Sequence, residues 1–101
     1  MKRGLMKMRS SRALFELGQI VTTRTVAENV EAAKVASFIR DHVTCNTSNS
    51  CLPNEDLDAN KEAIKNGDDR ILSAFMHSGK KVYVITEWDR SYTTVLFANE
   101  Y

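Results

Sequence analysis

Glu87, Asp89 and Arg90 fall within the five residues Glu87-Trp88-Asp89-Arg90-Ser91, with Thr93 and Thr94 just beyond. Two carboxylates beside a guanidinium are the residue types of acid–base chemistry or phosphate binding. With His42 added, they would suit a small nuclease or a nucleotide-handling enzyme. The same residues also make an ordinary turn, with Asp89 accepting backbone N–H groups and Arg90 pairing with Glu87. Trp88 and Arg90, followed by Tyr92, have the composition of anchors at a protein interface. A second charged feature is the run from Glu55 to Asp69, where Glu55, Asp56, Asp58, Glu62, Asp68 and Asp69 outnumber Lys61 and Lys65. Such a run is ordinarily a solvated helix face. It can also imitate a nucleic-acid backbone and occupy a basic groove on a partner. The expected binding residues are therefore Glu87, Trp88, Asp89, Arg90 and Tyr92, with Asp56, Asp58 and Glu62 as an electrostatic complement. No catalytic residue is assigned.

His42, Cys45 and Cys51 are three side chains of ligand type within ten residues. Their H-x2-C-x5-C spacing matches no established zinc pattern, and a fourth ligand is missing. The ordinary reading is two free thiols in a loop and a helix-terminal imidazolium favoured by the dipole. Asp56-Leu57-Asp58-Ala59-Asn60 begins like a calcium loop. Lys61 then stands where the sharp turn needs glycine, and Gly67 where the bidentate glutamate belongs. Asn46-Thr47-Ser48 fits a glycosylation acceptor, which matters only for an exported chain. The glycine-rich phosphate loops, the nucleophile elbow and the His-Glu-x-x-His metal motif do not occur. Neither a metal nor a cofactor is expected.

The elements that carry these residues follow from composition and pattern. At 101 residues, with 43% hydrophobic and 27% charged side chains, the chain is expected to form one globular domain. No apolar run reaches the roughly 18 residues of a membrane helix, and the basic start has no apolar core of a secretory signal. A cytoplasmic location is the expectation. The net charge of +1 is uneven. Residues 1–12 carry Lys2, Arg3, Lys7, Arg9 and Arg12 and no acid, and the rest is mildly acidic. Residues 1–12 read as a basic leader and 13–101 as a single α+β domain. As an arm for nucleic acid the leader lacks interleaved aromatics.

Residues Phe15 to Thr22 predict a strand with a bulge at Gly18. Thr25, with Glu28 three residues on, predicts a capped helix running to about His42. Residues 44–54 are turn formers. Asn54 caps a second, mostly polar helix that ends at Gly67. From Arg70 to Tyr101 the pattern alternates, with turns at Ser78-Gly79 and Trp88-Asp89-Arg90-Ser91, and predicts a three-stranded meander. The order is β-α-α-β-β-β, an antiparallel sheet packed against two helices. Both faces of the last two strands are fairly apolar, so the second face needs partial cover, for which a homodimer through the sheet is one candidate.

The meander carries a resemblance. Arg70-Ile71-Leu72-Ser73-Ala74-Phe75, Val82-Tyr83-Val84-Ile85-Thr86-Glu87-Trp88-Asp89-Arg90-Ser91, Thr93-Thr94-Val95-Leu96 and Glu100-Tyr101 resemble a family of small uncharacterised bacterial proteins carried on plasmids, integrative elements and phages. The shared string is "ITE-DRS-TT", and the likeness spans about residues 15–101, Phe15 to Val21 and Asn60 included. The chain departs from the family at Cys45-Asn46-Thr47-Ser48, where a Gly-Asp-Trp-Gly-like segment is usual, and at Trp88, where a small residue is usual. The resemblance supplies no catalytic residues. It implies a mobile-element accessory protein. Together with the absence of catalytic motifs, the expectation is a chain that acts by protein–protein binding, as an inhibitor of host defence of the anti-CRISPR or antirestriction type, with a small nuclease or nucleotide-handling enzyme and a nucleic-acid-binding accessory protein as the alternatives. Its partner would be a host defence nuclease or effector complex.

Overall fold

The computed structural model describes residues 13–46, 54–67 and 69–101. The basic leader, Cys51, Pro53, the Asn46-Thr47-Ser48 acceptor beyond Asn46, Asp68, and the side chains of Glu55 and Asp56 lie outside the described residues.

The chain is α+β. Strand β1 (Gln19–Thr22) is followed by helices α1 (Arg24–Asn29), α2 (Ala32–Val43) and α3 (Asn54–Asn66). The meander β2 (Ile71–His77), β3 (Lys80–Thr86) and β4 (Tyr92–Phe97) follows, and a 3₁₀ turn spans Ala98–Glu100. Hydrophobic alternation and turn chemistry build the meander. Ser78 and Gly79 both take positive φ, 51° and 80°, as a tight turn matching the strand twist requires. Phe75 thereby pairs with Val82 and Val82 with Phe97, while Ser73 pairs with Val84 and Val84 with Val95.

Two expectations need correction. The sheet is mixed, in the order β1-β4-β3-β2, because β1 lies parallel to β4 instead of antiparallel to it. The single helix from Thr25 to His42 is two helices. Thr23, not Thr25, caps the first, its hydroxyl accepting the Val26 N–H at 3.3 Å. The chain cannot turn helical before Thr23 because its N–H still bonds the Val95 carbonyl, at 3.1 Å. The helix then stops at Val30, which is extended (φ −123°, ψ 126°) and buried in the core. The Asn29 amide donates to the Thr25 carbonyl at 2.8 Å, a local bond that competes with continued helix.

One face of the sheet packs on the helices. Val82, Val84, Val95, Phe75 and Phe97 meet Val26, Val30 and Phe38 there, and Phe38 stacks on Phe75 with ring centroids 4.8 Å apart. At the β2 edge the Asn60 side chain of α3 receives the Leu72 N–H at 3.0 Å and donates to the Leu72 carbonyl, acting as a short piece of strand. The opposite edge, β1, is exposed along its length.

Gly18 fixes how β1 enters. Its φ is +64°, and a Cβ there would lie 2.3 Å from the Ser91 carbonyl oxygen. The expected bulge is therefore a close passage of one backbone over another. Gly18→Ala is expected to destabilise the fold by about 3 kcal/mol, combining left-handed strain with overpacking. Urea denaturation checks it, and a loss below about 1 kcal/mol would mean the contact relaxes freely.

Candidate functional site

Hydroxyls of three strands form one hydrogen-bonded chain with a buried imidazole. Ser73, Thr86 and Thr93 occupy core-facing positions of β2, β3 and β4, where valine and phenylalanine otherwise stand. His42, near the end of α2, reaches between them and is 1% exposed. Its Nδ1 lies 2.7 Å from the Ser73 hydroxyl and its Nε2 2.8 Å from the Thr86 hydroxyl. Thr86 lies 2.7 Å from Thr93, which donates to the Leu17 carbonyl at 2.7 Å.

The protons can be placed from the end of the chain. A carbonyl only accepts, so Thr93 spends its one hydrogen on Leu17. Thr86 must then donate to Thr93 and accept from His42, which fixes the proton on Nε2. The bare Nδ1 accepts from Ser73. Every group in the interior chain is satisfied by a neutral ring. Burial lowers the His42 pKa to about 3, so the expected helix-terminal imidazolium is instead a neutral core histidine. Phe15 closes the site edge-on, its ring centroid 5.1 Å from that of His42.

Ser73 and His42 have the contact geometry of a nucleophile and its base. The surroundings argue for a structural role. Among the described residues no carboxylate is bonded to the ring to stabilise an imidazolium, and the cleft beside Ser73, bordered by Asp41, Cys45, Asn60 and Lys61, holds only about 40 Å³. Burial raises the Cys45 thiol pKa, with Lys61 opposing, so the thiol is not activated.

The turn residues serve a second construction. Arg90 has φ +60°, and its N–H closes the turn onto the Glu87 carbonyl at 2.9 Å. Its guanidinium donates to the carbonyls of Asp69 (2.7 Å), Glu87 (3.0 Å), Trp88 (3.1 Å) and Ala63 (3.1 Å). The charge thus sits at the C-terminal end of α3, where the dipole favours a cation, and joins that helix to the β3–β4 turn. The ion pair expected with Glu87 is a bond to its backbone. Asp89 accepts from the Ser91 N–H and hydroxyl at 3.1 and 2.6 Å, and these bonds lower its carboxyl pKa. Glu87, Asp89, Arg90 and His42 are therefore not gathered round one cavity.

Exposed aromatic surface remains. Trp88 stands at the turn, 62% exposed, and Tyr92 follows on the outer sheet face, 43% exposed. Tyr101 is 63% exposed, edge-on to Tyr83 at 5.8 Å with the Arg70 guanidinium 5.4 Å over its ring. Tyr101 thus supplies part of the cover that the second face was expected to need. Asp58 and Glu62 are exposed on α3, as expected of an acidic helix face. The hydroxyl network and Tyr101 were not read from the sequence. Hydroxyls at core positions of three neighbouring strands were the available sign of the first. Among the described residues no helix is long and apolar enough to cross a membrane. Comparison with protein-family models, with curated proteins and with solved structures returns no match.

Proposed function

We propose that this chain acts by binding another protein, through the Trp88 turn and the outer sheet face bearing Tyr92 and Tyr101. The observation that carries this reading is the exposure of Trp88 on a turn that the hydrogen bonds of Arg90 and Asp89 hold in shape. A tryptophan on a pre-organised backbone loses little freedom on binding, which is the economy of an interface anchor. Arg90, first read as an anchor itself, holds the turn that presents Trp88. Asp58 and Glu62, exposed on α3, supply an acidic complement for a basic partner.

The partner is a host defence nuclease or effector complex, and the protein is a mobile-element inhibitor of the anti-CRISPR or antirestriction type. The "ITE-DRS-TT" resemblance supports that class. The reading as a nuclease or nucleotide-handling enzyme loses its motivation with the separate engagement of Asp89, Arg90 and His42.

The test is capture of defence complexes from a bacterial lysate, paired with phage plating or plasmid restriction in cells expressing the chain. Retention of a defence nuclease or effector, with relief of its activity, is the expected result. Trp88→Ala is expected to weaken retention about 30-fold at an unchanged melting temperature. If no defence component is retained and defence is unaffected by expression, the proposal fails.

A further inference from the structure

The two margins of the sheet are finished differently. The β2 margin is capped at Leu72 by Asn60 of α3, whereas β1 reads Gln-Ile-Val-Thr, without a charge, a proline or a covering element among the described residues. Uncharged apolar edges of this kind pair with another strand unless something blocks them. The parallel register settles which groups are available. Gln19 and Thr23 direct their N–H groups at the Ser91 and Val95 carbonyls of β4. Alternation then turns the N–H and C=O of Ile20 and Thr22 outward.

Both exposed apolar side chains of the strand also need explaining, Ile20 at 47% and Val21 at 42%. Ile20 and Thr22 stand opposite Thr93 and Val95, so they lie on the helix side of the sheet. Val21 stands opposite Thr94 on the outer side. Beside Thr22 an apolar groove of about 330 Å³ runs between α1 and α2, lined by Ala27, Val30, Val35 and Ile39 among others.

We infer that β1 pairs antiparallel with β1 of a second copy of this chain, about a twofold axis through Val21. Ile20 of each copy then exchanges both backbone hydrogen bonds with Thr22 of the other, four bonds in all. Val21 packs on its own symmetry mate on the outer side, in the close, non-hydrogen-bonded position. Ile20 comes beside the partner's Thr22 and enters the partner's groove. Knob and groove thus lie on the same edge, one strand position apart, as a twofold contact demands. The charges agree with this direction. Glu16 precedes the strand and Arg24, paired with Glu28 at 3.4 Å, follows it, all exposed, so antiparallel pairing sets Glu16 toward the end of the partner strand that carries Arg24, whereas parallel pairing would set like charges side by side. The inference is independent of the partner proposed above, since Trp88 takes no part in it.

Sedimentation equilibrium of the full chain over a concentration series, with amide hydrogen exchange, tests the pairing. The wild type is expected to dimerise, and Val21→Lys, which sets two ammonium groups on the axis, to weaken the dimer at least about 100-fold. Met76→Lys replaces a comparably exposed apolar residue on the opposite, β2 margin and should leave the dimer intact. The amides of Ile20 and Thr22 should exchange at least about tenfold more slowly in the wild type than in Val21→Lys at equal melting temperature. A wild type that stays monomeric at all concentrations, a dimer that survives Val21→Lys, or one in which those two amides exchange freely overturns the inference. Trp88→Ala should leave dimerisation unchanged, which separates this outcome from failure of the binding reading.

Discussion

Lowering the pH from 7 to 5 is expected to cost the folded chain about 2 kcal/mol through His42 alone. The folded-state pKa is depressed to about 3 from an ordinary 6.5, because the imidazole is buried among hydroxyls that suit only its neutral form. The unfolded chain therefore takes up the proton first. The contribution of this group to stability is whole above pH 6.5, falls as pH drops below that value, and is exhausted below pH 3. The full span corresponds to about 5 kcal/mol, a large share of a small domain's stability. Other groups titrate in the same range, so the measurement is a difference. His42→Phe keeps a ring of similar size but leaves Ser73 and Thr86 without their partner, and should lose about 2–4 kcal/mol at pH 7. The gap between the two proteins in urea denaturation should narrow by about 2 kcal/mol at pH 5. A gap that is constant from pH 7 to pH 5 would mean that His42 is already charged, or freely hydrated, in the fold.

Arg90→Ala should be comparably damaging, at about 3 kcal/mol, because one guanidinium satisfies four carbonyls contributed by α3, the α3–β2 connection and the β3–β4 turn. Arg90→Gly should be about 1 kcal/mol milder than alanine, since φ is +60° there and glycine has no side chain to strain. Arg90→Lys should recover only part of the loss, because an ammonium cannot reproduce the planar fork. That ranking, Arg then Lys then Gly then Ala, can be read from denaturation midpoints. Alanine no worse than glycine would remove the strained turn from the account. The same series bears on binding. If Arg90 serves to present Trp88, partner retention should fall in step with the ordering of the turn.

The meander could be read from the chain because its information is local. Alternation along each strand, Ser78-Gly79 at one turn and Asp89 ahead of Ser91 at the other, needs no knowledge of distant residues. α3 was equally plain, with its acidic start and Gly67 returning an N–H to the Ala63 carbonyl at 2.8 Å. The first helix misled because Thr25 and Glu28 form a sound capping pattern, while the position of the cap is set by the pairing of Thr23 with Val95, far along the chain. The break at Val30 follows from an apolar side chain that the core claims at the cost of helix continuity. The site was half legible. The cluster from Glu87 to Tyr92 stood out by composition, yet composition does not say whether Arg90 faces a partner or its own backbone. His42 was misjudged because an imidazole at a helix end is favoured as a cation in water, and only its burial against the hydroxyls of Ser73 and Thr86 changes that balance.

The parallel union of β1 with β4 has a consequence for the order of events in folding. Among the described residues β1 finds its strand neighbour only in β4, so β1 cannot pair until residues 92–97 are in place. Closure over so long a separation is slow relative to hairpin formation. Until it occurs, β4 offers a vacant rim of its own, and a nascent chain meeting another in that interval could lend its first strand to a neighbour. The Thr23 hydroxyl bound to the Glu100 carboxylate at 3.0 Å, with the same oxygen held by the Phe97 N–H at 2.9 Å, then acts as a latch that rewards the strand's return to its own molecule.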